Sequence, residues 1–156
     1  MAEMEAPRFE ELGPLLIAGM GETFTDDTSS GIPALWQRFD PHIGKIAGQV
    51  GGVTYGLLMP TGTPGHFDYV CGVEVSDASN LPAGFRSHKL GKQKYAVFAH
   101  EGYLATLRET FGFIWNKWLP TAGVRIAKAP RLEVYAASFD AKKPGGLEIW
   151  IPVAEG

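Results

Sequence analysis

Apolar positions along the chain fall into short extended runs and two stretches with helical spacing. Phe9 to Ala18 leads into a strand ending Leu15-Leu16-Ile17-Ala18, broken by Gly19 and Gly21. The polar run Thr25 to Ser30 offers N-caps to a helix from about Gly31 to Phe39, where Ile32, Leu35, Trp36 and Phe39 share a face. Pro41 stops it. Val53 to Met59 and Phe67 to Val75 read as strands joined by the Pro/Gly-rich turn Pro60 to Gly65, which makes them a hairpin.

The same order then recurs. Lys94 to Ala99 alternates as a strand, and Leu104, Leu107, Phe111, Ile114 and Trp118 form one helical stripe that ends at Pro120. Leu132 to Phe139 and Leu147 to Val153 are the last two strands, joined through Lys142-Lys143-Pro144-Gly145-Gly146. Displacing the chain by 80 residues sets Ile46-Ala47 on Ile126-Ala127, Tyr55 on Tyr135, Pro64-Gly65 on Pro144-Gly145 and Val73 on Val153. The expectation is a single domain, 1–156, of two strand-helix-strand-strand halves, about 9–75 and 89–155, with 76–91 as a surface connection. Its class is α+β: a pseudo-two-fold antiparallel sheet with helices on one face and a ligand cleft on the other.

Strand alternation assigns faces. Glu133 and Tyr135 lie opposite Leu132 and Val134; if the latter two pack under the helices, the former two line the cleft. The 80-residue register puts Tyr55 at the position equivalent to Tyr135. On the partner strands Glu74 and Trp150 join them, with Trp36 or Trp115 at the ends of the cleft. Aromatic faces with one or two carboxylates suit a flat cation, each contact contributing about 0.5–2 kcal/mol. Each residue also has an ordinary reading: a solvated strand glutamate, cross-strand tyrosine packing, and Trp118 in the helix core. His100-Glu101-Gly102 reads as a strand-to-helix turn before it reads as an acid/base pair, and Lys142-Lys143 as a solvated hairpin tip.

Composition narrows the functional classes. The 156 residues are 45% hydrophobic and 12% aromatic, enough for a sizeable core, and the net charge of −3 leaves no basic footprint for nucleic acid. One cysteine, Cys71, excludes an internal disulfide, and the acidic Met1 to Glu5 is unlike a secretory signal. No apolar run approaches membrane length, so a cytoplasmic location is expected. The four histidines are dispersed, there is no CxxC pair, and the phosphate-loop, dinucleotide and GxSxG patterns are absent; neither metal nor cofactor is expected.

Four ordered segments carry a family likeness: Tyr95 to Gly102, Phe113 to Pro120, Ala129 to Tyr135 and Ile149 to Val153, with Thr54-Tyr55-Gly56 and Phe67 to Val75 in the first half. From about Leu12 onward the chain resembles the GyrI-like family, the effector-binding domain of AraC-type and multidrug-responsive bacterial transcription regulators. The resemblance implies a duplicated βαββ fold and an aromatic pocket in which a glutamate meets cationic, amphipathic ligands. The family's Glu-x-Tyr element falls on Glu133 and Tyr135, and a second glutamate on Glu74. The residues before the first strand are too few for a helix-turn-helix, so a stand-alone member without direct DNA contact is expected. The leading expectation is a binding protein for hydrophobic or cationic aromatic molecules, with Glu133 as counter-ion and Tyr55, Tyr135, Trp115 and Trp150 as walls. Two alternatives stand beside it. One is a hydrolase of cyclopropane-bearing genotoxins using Glu74, Glu133 and Tyr135; the other is a gyrase-inhibitor-like module whose outer surface meets a protein partner.

Overall fold

Both helical patterns and the strands around them are present in the computed structural model, which describes residues 6–155. The acidic Met1 to Glu5 lies outside the described residues. The strands are β1 (Arg8–Leu12), β2 (Leu15–Thr25), β3 (Gln49–Pro60), β4 (His66–Val75), β5 (Arg86–Leu90), β6 (Gln93–His100), β7 (Val124–Ile126), β8 (Arg131–Tyr135) and β9 (Leu147–Glu155). They form one antiparallel sheet in the order β1-β6-β9-β8-β3-β4-β2-β5, with β7 added to β9. Strand β5 lies inside 76–91, which was expected to be only a surface connection. A two-residue turn joins β1 to β2, yet β1 pairs with β6; β5 is joined to β6 in the same way and pairs with β2. The two halves therefore exchange their first strands.

The sheet is curled. Ile17 of β2 and Tyr95 and Val97 of β6 belong to strands near opposite ends of the sheet, yet they share one core with Leu57, Leu132 and Trp150. Burying each such aliphatic side chain stabilises the fold by about 1.5–3 kcal/mol. The other face carries both helices. Helix α1 (Ile32–Phe39) has Pro33 in its first turn, where the missing N–H costs nothing, and turns Leu35 and Phe39 onto Tyr69, Cys71 and Val73. Helix α2 (Leu107–Phe113) continues as a π-helical turn, Ile114–Trp118, and packs Ile114 on Ile149, Ile151 and Phe98. Leu104, at the start of the predicted stripe, is exposed in a 3₁₀ turn, so the α-helix itself is shorter than its apolar pattern. Strand β8 likewise ends at Tyr135, and Phe139 folds back edge-on to that ring.

Hydrogen-bond registers correct the 80-residue repeat. The turn Leu12-Gly13-Pro14-Leu15 is equivalent to Leu90-Gly91-Lys92-Gln93, which makes the outer-strand pair Ile17↔Glu74 equivalent to Tyr95↔Pro152. The outer strands are thus shifted by 78, which carries Gly72 to Trp150, and the ladder partner of each then sets Tyr55 on Leu132, a shift of 77 on the inner strands. The true spacing is slightly shorter than 80 and odd-numbered relative to it on the inner strands. Because strand side chains alternate, an odd slip moves a residue to the other face. Tyr55 is therefore not the mate of Tyr135. Its equivalent is Leu132, and Glu133 is equivalent to Gly56, which is also its own cross-strand partner. The pseudo-dyad runs between those two residues.

Candidate functional site

Glu133 sits on the helix-bearing face, and its surroundings follow from three neighbouring strands and α1. Tyr135 follows it by two residues on β8 and so shares its face. Tyr69 reaches it from β4 across β3, passing over Gly56. A Cβ at Gly56 would lie 2.3 Å from the Tyr69 hydroxyl and 2.8 Å from Glu133 Oε1, so the glycine is what lets these side chains meet above the strand. Trp36 comes from the sheet-facing side of α1.

These groups form one hydrogen-bonded chain. Trp36 Nε1 donates to Tyr69 Oη at 2.9 Å, Tyr69 Oη donates to Glu133 Oε1 at 2.5 Å, and Tyr135 Oη donates to the same oxygen at 2.9 Å. Trp36 also stands edge-on to Tyr135, with centroids 5.1 Å apart. Glu133 is 9% exposed. Both protein donors use Oε1. Oε2 receives no side-chain hydrogen bond among the described residues.

Burial pushes the Glu133 carboxyl above the usual carboxylate range, and the two tyrosine hydrogen bonds oppose that shift without cancelling it. Among the described residues no cation pairs with it. Arg131, two residues earlier on the same face, places its guanidinium 4.7 Å from the Trp115 ring centroid instead. Burial and the adjacent carboxylate push Tyr69 and Tyr135 upward, so both phenols remain donors. The Cys71 thiol is also pushed up, chiefly by burial, and stays neutral.

The sequence-derived candidates divide between the two faces of the sheet. Glu133, Tyr135 and Trp36 come together as described, and Trp115 lies on the same face, over Arg131. Tyr55, Glu74 and Trp150 do not join them. Tyr55 and Trp150 belong to the core on the opposite face, where Trp150 packs on Tyr95 at 5.7 Å and donates to Glu148 at 3.1 Å. Tyr55 is raised by burial and then by the charge of Glu74, which is near it rather than near Glu133. The expectation that Glu133 and Tyr135 face away from the helices is reversed: Leu132 and Val134 supply the opposite core, because both sides of this curled sheet are buried and apolarity alone does not reveal which side carries helices.

Tyr69 was absent from the sequence-derived candidates. Its signal was Gly56 in mid-strand, a mark of close approach by another group. His100 has a structural tie: Nε2 donates to the Tyr103 carbonyl at 2.6 Å and Nδ1 is hydrogen-bonded to the Thr110 hydroxyl at 2.7 Å, while Glu101 is exposed. Trp118 packs on Phe98 at 5.0 Å, as a helix-core residue should. Among the described residues no cluster of His, Cys, Asp and Glu could hold a metal, and no helix is long and apolar enough to cross a membrane.

A family model described as a GyrI-like small molecule binding domain matches residues 5–154. The chain belongs to the GyrI-like family. It is 32% identical over 133 residues to the transcriptional regulator BrlR of Pseudomonas aeruginosa, covering 85% of this chain and 48% of that protein; it thus spans about half the length of this curated relative. The GyrI-like fold is shared with SAV2435, solved bound to tetraphenylphosphonium, at a TM-score of 0.79 and 23% identity over 97% of this chain and 94% of that one. An integron cassette protein from the mobile metagenome of Vibrio cholerae is similar at a TM-score of 0.70 and 17% identity, covering 97% of each chain.

Proposed function

We propose that this GyrI-like domain captures hydrophobic, cationic aromatic molecules on its helix-bearing face, with Glu133 as the counter-ion. One observation carries the reading: a buried carboxylate has one oxygen fixed by two tyrosines and the other without a side-chain donor, and no protein cation pairs with it among the described residues. A desolvated carboxylate gains from an incoming cation because the pairing charge is the one thing its surroundings lack. Trp36, Tyr69 and Tyr135 supply π faces and edges around it, and Trp115 borders the same face. The tetraphenylphosphonium bound by SAV2435, a lipophilic cation without hydrogen-bond donors, is the kind of molecule such a site accepts.

Trp36 is only half-buried and covers Tyr135, so a bulky cation enters as this ring rotates aside and gives up its bond to Tyr69. Binding is therefore read directly by tryptophan fluorescence. Titration with tetraphenylphosphonium is expected to quench it, and Glu133→Gln to weaken the binding by about tenfold or more, a change of about 1.4 kcal/mol or larger. A neutral isostere, tetraphenylmethane solubilised in cosolvent, should be indifferent to the substitution. Affinity for the cation should rise with pH through the elevated Glu133 range, since only the ionised form attracts it. Equal cation affinity in Glu133→Gln would overturn the reading.

A further inference from the structure

The two halves of the sheet differ in a second place, away from Glu133. In the second half Arg8 of β1 is held by two carboxylates: Nη1 lies 2.8 Å from Glu148 Oε2 and Nε lies 3.4 Å from Glu10 Oε1. The equivalent arginine in the first half is Arg86 of β5, since Arg8 pairs with Val97 as Arg86 pairs with Gly19. By the same correspondence Glu148 becomes Val70 and Glu10 becomes His88. Val70 lies between Leu57 and Gly21 in the ladder just as Glu148 lies between Val134 and Ala99. Arg86 has thus lost both carboxylates, and it makes no ion pair or side-chain hydrogen bond among the described residues. A cavity of about 770 Å³ opens beside it, lined by Arg86, His88, Val70, Met59, Phe85 and Asp68 among others.

We propose that this cavity is a second small-molecule site, which takes a monocarboxylate with an apolar body and uses Arg86 as its counter-ion. The ligand carboxylate occupies the place that the Glu10 and Glu148 carboxylates hold against Arg8, and its body lies on Val70, Met59 and Phe85. An arginine suits this task because its planar fork of donors matches both carboxylate oxygens. The nearby acids are already engaged: Glu22 pairs with Arg38, and Asp68 accepts from Thr23. Their negative charge discriminates against dianions and phosphates and leaves a single carboxylate as the matched charge. This site is separate from the one at Glu133 and does not depend on the cation-binding proposal.

The test is a ¹⁵N–¹H correlation titration of the whole chain with 4-phenylbutyrate, with 4-phenylbutyramide as the uncharged match. Perturbations are expected at Thr23, Val70 and Gly84 to His88, with the carboxylate bound about tenfold or more tightly than the amide. Arg86→Gln should lose that preference, and His88→Glu, which returns an internal carboxylate to Arg86, should lose it too. Lys142→Gln, which removes one positive charge from the exposed hairpin tip, should leave the affinity unchanged. Unchanged binding in Arg86→Gln, equal affinity for acid and amide, perturbations centred away from β5, or none at millimolar ligand would each overturn the proposal.

Discussion

At the centre of the sheet, the first half contributes Gly56 and Tyr69 where the second contributes Glu133 and Leu147. The pseudo-dyad therefore relates a glycine to a carboxylate and an aliphatic side chain to a phenol. The consequence is one central charge instead of two. Two carboxylates facing each other across the β3–β8 ladder would repel and would hold a shared proton; here one is retained, the space opposite is cleared, and the phenol from the emptied half reaches across to it. At the flank the asymmetry is inverted, for it is the first half that lacks the counterparts of Glu10 and Glu148 and leaves Arg86 beside a cavity, while in the second these two carboxylates hold Arg8. The two halves share one frame, and both candidate sites lie where the halves differ.

Substitutions that restore symmetry break this comparison most directly. Tyr69→Leu gives β4 the residue that β9 has at the equivalent position. It removes a fully buried ring, leaves Trp36 Nε1 without its acceptor and takes the shorter of two hydrogen bonds from Glu133. A loss of about 3 kcal/mol is expected in urea unfolding, from the volume lost plus the polar groups left unpaired. Tyr135→Phe keeps its ring and should cost less. The Gly56→Ala change is next. Its methyl falls within 2.3 Å of the Tyr69 hydroxyl, so the triad must separate, at about 1–3 kcal/mol in stability. A correlation spectrum should place the disturbance on Tyr69, Glu133 and Trp36.

Much of this architecture was legible in the residues. The α1 stripe, the two hairpins, the recurrence of the module and the shared face of Glu133 and Tyr135 follow from periods of 3.6 and 2, which local sequence carries directly. What local sequence does not carry is long-range register. The gapless alignment was anchored on the turns Pro64-Gly65 and Pro144-Gly145, but the connection after Tyr135 is longer than the one after Pro60, so turns and ladders are not in phase. Three residues of slip on the inner strands were enough to pair Tyr55 with Tyr135, while Glu74 and Trp150 were set beside Glu133 by polarity and bulk on their own strands. Tyr69 was overlooked for a related reason. In β4 Glu74 is the polar residue that draws attention, yet the odd-numbered face, with Tyr69, Cys71 and Val73, is the one under α1.

A smaller effect of opposite sign is expected for Glu133→Gln. Folding raises the carboxyl pKa, so the native protein holds this proton more tightly than the unfolded chain does. Its contribution to stability is fully present below the ordinary glutamate range and is lost as pH rises through the elevated folded value. Glutamine does not titrate and still offers an oxygen to both tyrosines. The variant should melt higher than the parent at pH 8, by about 2–4 °C for each kcal/mol recovered, and the gap should close on acidification to pH 4. A variant that melts lower at pH 8 would mean that the ionised carboxylate stabilises the fold.

The smallest expected effect returns to the flank. His88→Glu re-creates in the first half the acid that Glu10 provides in the second, at a half-buried position on β5 whose arginine is exposed. Pairs of this kind contribute about 0.2–1 kcal/mol, because solvent screens them and holding two long side chains in one geometry costs entropy. The stability gain should lie in that range and should vanish in concentrated salt, where the Debye length contracts to about 3 Å. A gain that survives salt would point instead to relief of burial at His88, whose imidazole pKa is lowered chiefly by desolvation and then by Arg86. The salt series thus separates an arginine waiting for a carboxylate from a histidine that is merely badly placed, and only the first outcome agrees with a flank left open for an anionic ligand.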